Sequence, residues 1–223
     1  MLTLSPSQIN TFLKCPRQWA FRYKEGKRIP PRAAMTLGGS FHKAQGYNYQ
    51  QKISSHEDLP IKEVQDYYVD AFDKAKGETL WLSDENPIEI RDGGLDMVEC
   101  YSQKISPKVQ PLYVEQPWRL SIKQETRDAE PFEIMLRGVY DLIEQQDGGY
   151  ALRETKTTSK GISGVRTDDA RQVAYYLMAL EQKEAKIDYI IRYKTRVAIN
   201  SCPIKLNPQV GNFHAQQAIE IAK

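Results

Sequence analysis

Asp141, Glu154 and Lys156 are the residues of this chain whose types and spacing could do chemistry. Glu154 and Lys156 are two residues apart in a β-prone run, so in a strand they point to the same face. Asp141 lies in the preceding apolar run and joins them if the two strands share that face. Carboxylates are ligands that Mg²⁺ and Mn²⁺ prefer, and a neighbouring ammonium can offset charge on a reacting phosphate. The pattern predicts a metal site suited to phosphodiester hydrolysis.

A hairpin would bring these three residues together. The runs 136–143 and 150–156 flank an Asp-Gly-Gly turn, which is a strong hairpin signal. A Glu-x-Lys tripeptide by itself is more often a solvated strand face. Here Glu154 follows Leu152 on what should be the inward face, where a charge needs a partner or a metal. This setting favours the metal site.

The surrounding pattern predicts an α+β fold in which helices come first and a central mixed sheet follows. Ser5, Pro6 and Gln8 have the types of a capping box with proline at the first helical position. The predicted helices with bounds are 6–23, 61–76, 94–105, 170–183 and 212–223. A further helix, which carries His42, is expected to begin at a turn formed by Gly38–Ser40. Thr167 or Asp168 is expected to cap the helix at 170–183. The predicted strands are 112–122, 136–143, 150–156 and 187–197. We expect one domain over 1–223, with a helical region at 1–106 and a sheet core at 107–223.

Composition is that of an ordinary soluble globular protein, with 40% hydrophobic and 27% charged residues. The net charge of +2 is too small to indicate nucleic-acid binding, so a DNA-binding surface would need local clustering. Two basic clusters are candidates for such a surface, and either could equally be solvated. They are Arg17, Arg22, Lys24, Lys27, Arg28 and Arg32, and Arg192, Lys194 and Arg196.

Cysteine usage and the absence of targeting signals favour a cytoplasmic location. No run approaches the roughly 18 apolar residues that span a membrane, and the first residues lack the pattern of a signal peptide. The three cysteines, Cys15, Cys100 and Cys202, are odd in number and far apart, which argues against a disulfide framework. No CxxC pair supports a structural zinc site.

Five segments carry further motifs in a fixed order. They are Leu4–Trp19 with its Ser-x-Ser and Cys-Pro, Gly39–His42, Gly138–Asp141, Glu154–Lys156 and Gln172–Tyr176. Together they resemble the PD-(D/E)XK nuclease superfamily, and within it the RecB-like branch that includes CRISPR-associated exonucleases. The resemblance spans most of the chain and implies a restriction-endonuclease-like fold.

The resemblance implies a metal site with defined ligands. Asp141, Glu154, His42 and the main-chain carbonyl of Thr155 would hold Mg²⁺ or Mn²⁺, and the nitrogen ligand would favour Mn²⁺. Lys156 would orient or help deprotonate the attacking water and offset charge on the phosphate. Without the resemblance, a single histidine such as His42 would be interpreted as satisfied or exposed.

Three further residues receive roles from the same resemblance. Gln172 and Tyr176 are four apart on a predicted helix and share a face, which would approach the active site and the DNA backbone. Core packing is the alternative for Tyr176. Glu115, in the strand before the hairpin, would be an accessory acidic residue.

The chain departs from many members of this branch at its cysteines. Those members hold an iron–sulfur cluster with one N-terminal and three C-terminal cysteines. Cys15 matches the first position, but no cysteine follows Cys202. We therefore expect no cluster, and we expect Cys15 to pack as a small apolar residue. The chain would be a cluster-free member or a truncated piece.

The sequence thus predicts a divalent-metal-dependent DNA nuclease. An exonuclease acting on single-stranded DNA ends in recombination, repair or phage DNA metabolism is the leading hypothesis. A non-catalytic DNA-binding or assembly module that retains the fold is an alternative from another class. An endonuclease and a hydrolase of another phosphodiester also stay open.

Overall fold

A mixed sheet of six strands, with helices on both faces, forms the protein in the computed structural model, which describes residues 2–126 and 129–222. The strands are β1 (Leu2–Leu4), β2 (Pro111–Thr126), β3 (Ala129–Gln146), β4 (Gly149–Thr158), β5 (Glu184–Arg192) and β6 (Val197–Lys205). The predicted α+β class, with a mixed sheet flanked by helices, is confirmed.

The helices lie mostly before the sheet in sequence. They are α1 (Pro6–Lys14), α2 (Pro16–Trp19), α3 (Ala33–Ser55), α4 (Ile61–Lys76), α5 (Pro87–Lys104), α6 (Thr167–Leu180) and α7 (Pro208–Ala222). A π-helical turn, Ala20–Lys24, follows α2. Among the described residues, no helix combines the length and apolarity needed to cross a membrane.

β3 pairs with three other strands of the sheet, namely β1, β2 and β4. One edge pairs with β2 along most of its length. The other edge pairs in parallel with β1 as far as Leu136, and antiparallel with β4 from Leu142 onward. Between these two residues, no described strand pairs with that edge. β3 and β4 therefore separate at Asp141, and we call the opening between 137–141 of β3 and 154–156 of β4 the fork.

Two apolar cores cover the two faces of the sheet. Ile143 and Leu152 belong to a core shared with α1, α6 and α7. Leu142 and Ile190 belong to a second core shared with α3, α4 and α5. Because neighbouring residues of β3 enter different cores, both faces of β3 and β4 are buried beside the fork. The fork is therefore enclosed by α3 on one side and α6 on the other.

The predicted hairpin and capping box are both confirmed. β3 turns into β4 at Asp147–Gly148, and Gly148 has the positive φ of 82° that such a tight turn requires. Ser5 Oγ accepts from the Gln8 N–H, and Gln8 Oε1 accepts from the Ser5 N–H at 2.7 Å. The first helix does not run to residue 23, however. It ends at Lys14, because proline at 16 lacks an N–H and the preceding residue is extended.

The predicted turn at Gly38–Ser40 is wrong, because α3 begins at Ala33 and runs through it. Gly38 allows α3 to approach β4 closely. A Cβ at this position would lie 2.8 Å from Thr157 Oγ1 of β4. The glycine therefore lets α3 lie directly against the strand that carries Glu154.

Two strands were not predicted. β1 lies within the predicted helical region, yet it joins the sheet through β3. The run 187–197 is not one strand, because β5 ends at Arg192 and β6 returns antiparallel to it. The cap of α6 also differs, since its N-cap is Arg166 and Asp168 lies in the first turn.

Gly94 offers a test of how α5 packs on α4. A Cβ at Gly94 would lie 1.8 Å from the hydroxyl oxygen of Tyr68, whose ring is fully buried. We expect Gly94→Ala to lower the free energy of unfolding by about 1–3 kcal/mol, because the ring cannot move aside without repacking. Urea denaturation measures this change.

Gly39→Ala is the matched control for that measurement. Gly39 lies inside α3, is exposed, and a Cβ there would meet nothing within 4 Å. Alanine should therefore stabilise the helix by up to about 1 kcal/mol. A Gly94→Ala protein as stable as the Gly39→Ala protein would contradict the packing described for Tyr68.

Candidate metal and active site at the strand fork

Asp141 and Glu154 face each other across the fork. Pairing between β3 and β4 ends at Leu142 and Arg153, so these two carboxylates belong to the first residues beyond the paired segment. The backbone N–H of Thr155 donates to Asp141 Oδ2 at 3.1 Å. The Glu154 side chain is almost fully buried, and that of Asp141 is 29% exposed. Two acidic groups are thus held close together at the edge of both cores.

Lys156 and Gln172 both bind one oxygen of Glu154. Lys156 Nζ donates to Glu154 Oε1 at 2.6 Å and to Gln172 Oε1 at 3.0 Å. Gln172 Nε2 is 3.1 Å from the same carboxylate oxygen. Because both acceptors are oxygens, the Lys156 amine acts here as a hydrogen-bond donor. The structure brings together the lysine, the acid and the α6 glutamine that the sequence grouped.

Tyr176 joins this network from one turn further along α6. Gln172 Nε2 lies 2.5 Å from the Tyr176 hydroxyl. The Tyr176 ring also packs edge-on against Trp118 and Tyr140, each at 5.4 Å between centroids. The expected core packing of the Tyr176 ring is therefore observed, and its role in the active site stays a prediction. Its hydroxyl reaches the hydrogen-bond network of Gln172, Lys156 and Glu154.

His42 reaches the fork from α3, on the side opposite α6. Its Nδ1 is 3.4 Å from Asp141 Oδ2, and its side chain keeps 31% of its surface exposed. Burial of the rest lowers the pKa of His42, although the nearby Glu154 charge acts in the opposite direction. A lowered pKa keeps the imidazole neutral, which is the form that binds metals.

The negative charges of Asp141 and Glu154 are electrostatically unfavourable where these side chains lie. Burial, followed by the charge of Asp141, raises the pKa of Glu154 to about 7. Burial also raises the pKa of Asp141, and Lys156 opposes that rise. Burial works against the Lys156 ammonium too, but the Glu154 and Asp141 charges raise its pKa overall. One ammonium only partly compensates two adjacent carboxylates, which is the condition that a divalent cation relieves.

The residues at the fork fit a divalent cation by their donor types. Glu154 Oε2 is buried, and no hydrogen-bond partner for it exists among residues 2–126 and 129–222, so this carboxylate oxygen can bind a cation. Asp141 adds a second carboxylate and His42 a neutral nitrogen, a set that suits Mn²⁺ or Mg²⁺. In the described part of the chain, no group of three His, Cys, Asp or Glu side chains is already arranged to coordinate a metal ion. Cation binding would therefore involve side-chain adjustment.

Glu115 lines the same cavity from β2. The cavity measures about 270 Å³ and also includes His42, Asp141, Glu154 and Lys156. Glu115 has φ of 49°, a left-handed conformation that is rare for a non-glycine residue inside a strand. Such backbone strain concentrates at functional sites. Glu115, for which the resemblance implied an accessory role, thus lies in the cavity beside the fork, and the role itself stays a prediction.

Gln45 is a cavity residue that the sequence did not single out. It lies three residues after His42 on α3 and lines the same cavity. Only 5% of its surface is exposed, and neither its amide nitrogen nor its amide oxygen has a partner among the described residues. Its spacing from His42 placed it on the same helix face, which was the only available signal. Its amide can donate to and accept from a molecule in the cavity.

The basic clusters considered from the sequence do not line this cavity. In the first cluster, Arg17 and Lys27 lie over the ring of Phe21, at 5.3 and 5.0 Å. In the second, Arg192 donates to the main-chain oxygen of Glu89. Both clusters are therefore at least partly used in local contacts.

The cysteines are all free thiols, and they belong to different elements of the fold. Cys15 is half-buried between α1 and α2, where it caps the end of α1. Cys100 and Cys202 are buried in α5 and β6. The expectation that no iron–sulfur cluster is bound stays a prediction.

Comparison with known proteins identifies the family. The family model of the PD-(D/E)XK nuclease superfamily matches residues 3–214. The crystal structure of SSO0001 is similar at a TM-score of 0.38 and 13% identity, over 96% of this chain and 83% of that one. No curated protein matches this chain in sequence. The matched residues reach into all six strands, and this chain therefore belongs to the PD-(D/E)XK nuclease superfamily.

Proposed function

We propose that this protein is a divalent-metal-dependent DNA nuclease whose active site is the fork. The observation that carries the proposal is the buried Oε2 of Glu154 beside Asp141, which has no hydrogen-bond partner in the described part of the chain, while Lys156 donates to the other oxygen. A buried carboxylate oxygen without a partner is costly unless a cation binds it. Family membership supports the same reaction class.

His42, Asp141 and Glu154 would hold Mg²⁺ or Mn²⁺, with the main-chain carbonyl of Thr155 as a further ligand. The bound ion would polarise a phosphodiester and lower the pKa of a water molecule. Lys156 is held near Glu154 and Gln172, where its ammonium can stabilise charge that develops on the phosphate.

The α6 residues orient the lysine. Gln172 accepts from Lys156 and donates towards Glu154, so it fixes the relative position of the two groups. Tyr176 in turn lies within hydrogen-bond distance of the Gln172 amide. Gln172 and Tyr176 thus act as positioning residues for the lysine and the acid, and Glu115 adds negative charge to the rim of the cavity.

We further propose that the protein belongs to the RecB-like branch and acts as an exonuclease on single-stranded DNA ends, in recombination, repair or phage DNA metabolism. The order of motifs in the sequence supports this. His42 approaches Asp141, Gln172 approaches Glu154, and Tyr176 is hydrogen-bonded to Gln172. Linear single-stranded DNA should then be degraded, and circular single-stranded DNA of the same sequence should survive. Cleavage of the circle would make the protein an endonuclease.

Lys156→Ala tests the reaction itself. With Mn²⁺ and end-labelled DNA, we expect the wild type to cleave and Lys156→Ala to be slower by about 10²–10³-fold, because one group that stabilises transition-state charge is removed. Lys104→Ala removes an exposed lysine at the end of α5 and serves as the matched control.

Two outcomes would contradict the proposal. Equal cleavage by Lys156→Ala and wild type would remove the lysine from the mechanism. Tight DNA binding by the wild type without cleavage in Mn²⁺ or Mg²⁺ would instead make the protein a non-catalytic DNA-binding module.

A further inference from the structure

Arg119 and Arg137 stand directly opposite each other on β2 and β3. They are partners in the antiparallel register, and both are exposed. Directly opposed residues have Cβ atoms roughly 4.5–5.5 Å apart, and like charges at that spacing destabilise a sheet. Within the described residues, neither arginine has an ion pair or a side-chain hydrogen bond. The two strands thus carry an uncompensated pair of positive charges.

A neighbouring pair of positions on β2 and β3 carries opposite charges instead of like charges. Two pairs further along the same face, Lys123 stands opposite Glu133, so the charges there are opposite in sign. Ser121 also donates a hydrogen bond to Glu133. The arginine pair is therefore the place on this face where an external anion would lower the energy.

The arginine pair is continuous with the fork. Pro117 and Val139 form the intervening pair on the same face, and Val139 lines the cavity that holds Asp141. From Asp141 to Arg137 is four residues, roughly 13 Å along a strand. The edge of β3 between them has no strand partner among the described residues. A polymer bound at the fork can therefore continue along this edge to the arginines.

We propose that Arg119 and Arg137 form a phosphate-binding subsite for the nucleic acid strand, beyond the phosphodiester held at the fork. Guanidinium groups bind phosphate oxygens through paired hydrogen bonds. A phosphate between two opposed arginines also removes their mutual repulsion. This inference rests on the proposed nuclease function and adds a second site of interaction with the substrate strand.

Salt-dependent binding tests the subsite. A labelled single-stranded oligonucleotide is titrated with protein in Ca²⁺ over a series of salt concentrations. For Arg119→Ala/Arg137→Ala we expect Kd to rise about tenfold or more. The slope of log K against log salt should become shallower by about 0.7 for each phosphate that the variant no longer neutralises. Arg119→Lys/Arg137→Lys should keep the slope and recover part of the affinity, because lysine keeps the charge without the paired hydrogen bonds.

Two controls separate this role from a structural one. Lys104→Ala/Lys183→Ala removes the same charge from exposed positions at the end of α5 and after α6, and should leave Kd and slope close to wild type. The thermal stability of Arg119→Ala/Arg137→Ala should be unchanged or higher, because like-charge repulsion is removed. A decrease in stability would mean that the arginines serve the fold.

The outcomes distinguish the inference from the proposed function. If wild type cleaves DNA while the double alanine variant binds with unchanged Kd and slope, the subsite is wrong and the nuclease function stands. If wild type neither binds nor cleaves DNA, the nuclease function fails, and the subsite fails with it.

Discussion

Asp141→Asn should prevent divalent-cation binding at the fork and strongly slow cleavage while leaving the protein folded. Asparagine keeps an oxygen that can accept from the Thr155 N–H, which is 3.1 Å from Asp141 Oδ2. The substitution also removes one of two adjacent carboxylates that repel each other across the fork. We therefore expect unchanged or higher stability without metal, and cleavage slower by at least about 10²–10³-fold.

Metal-induced stabilisation measures the binding part of this prediction without relying on activity. A cation that binds only the folded protein stabilises it by about 2.7 kcal/mol at a concentration of 100 times Kd. The wild type should show such a rise in thermal stability with Mn²⁺, and Asp141→Asn should not. Asp66→Asn is the matched control, since Asp66 is exposed on α4 and pairs with Lys62. An equal Mn²⁺ effect in the Asp141→Asn protein would place the ion elsewhere.

Arg153→Met should strongly destabilise the protein although the substituted residue lies outside the fork. Arg153 Nε and Nη2 donate to Glu144 at 2.7 and 3.0 Å, and Nη1 donates to Asp188 at 2.6 Å. All three side chains are buried. Removing the arginine takes away the cationic partner of Asp188 and leaves Glu144 with only Lys186, whose Nζ is 4.0 Å from Glu144 Oε1. Breaking a buried ion-pair network in this way costs about 3–5 kcal/mol. Urea and thermal denaturation measure the change in stability.

The same substitution at a surface pair provides the comparison. Arg91→Met removes an arginine that pairs with the exposed Asp92, and such pairs contribute at most about 1 kcal/mol. Adding Glu144→Gln and Asp188→Asn to Arg153→Met should recover part of the stability, because the uncompensated charges are then gone. If Arg153→Met and Arg91→Met unfold alike, the buried network does not hold the sheet.

The ion pairs of Arg153 also affect the geometry of the fork. Arg153 links β3 through Glu144 to β5 through Asp188, and it is the residue directly before Glu154. It therefore holds β4 in register at the point where the strands separate. We expect the activity of Arg153→Met to return at temperatures low enough to restore folding, whereas that of Asp141→Asn should not return.

Local patterns in the sequence predicted much of the fold. The capping box at Ser5 and the Asp147–Gly148 turn involve neighbouring residues, so their interactions depend little on the rest of the chain. β1 could not be predicted, because three residues form a strand only when β3 lies beside them. β6 was missed because its turn at 193–196 lacks glycine and proline.

Gly38 and Gly39 led to the prediction of a turn that the structure does not contain. Two glycines in a row are typical of a turn, but α3 continues through them. Helix continuity is decided by packing against β4, where Gly38 approaches Thr157. Propensity is a weak guide where a close tertiary contact requires a glycine.

The sequence by itself determined the chemistry available at the site, because residue type and the two-residue period of a strand place Glu154 and Lys156 together. Only the tertiary structure decided what surrounds them. The separation of β3 from β4 places Asp141 opposite Glu154. His42 and Gln45 come from α3, and the Gln45 amide has no partner within the residues that the structure describes. The opposed pair of Arg119 and Arg137 depends on strand register. Such proximities arise between residues distant in sequence, so local patterns do not encode them. The family resemblance grouped His42 and Asp141 with Glu154, but it indicated neither Gln45 nor the arginine pair.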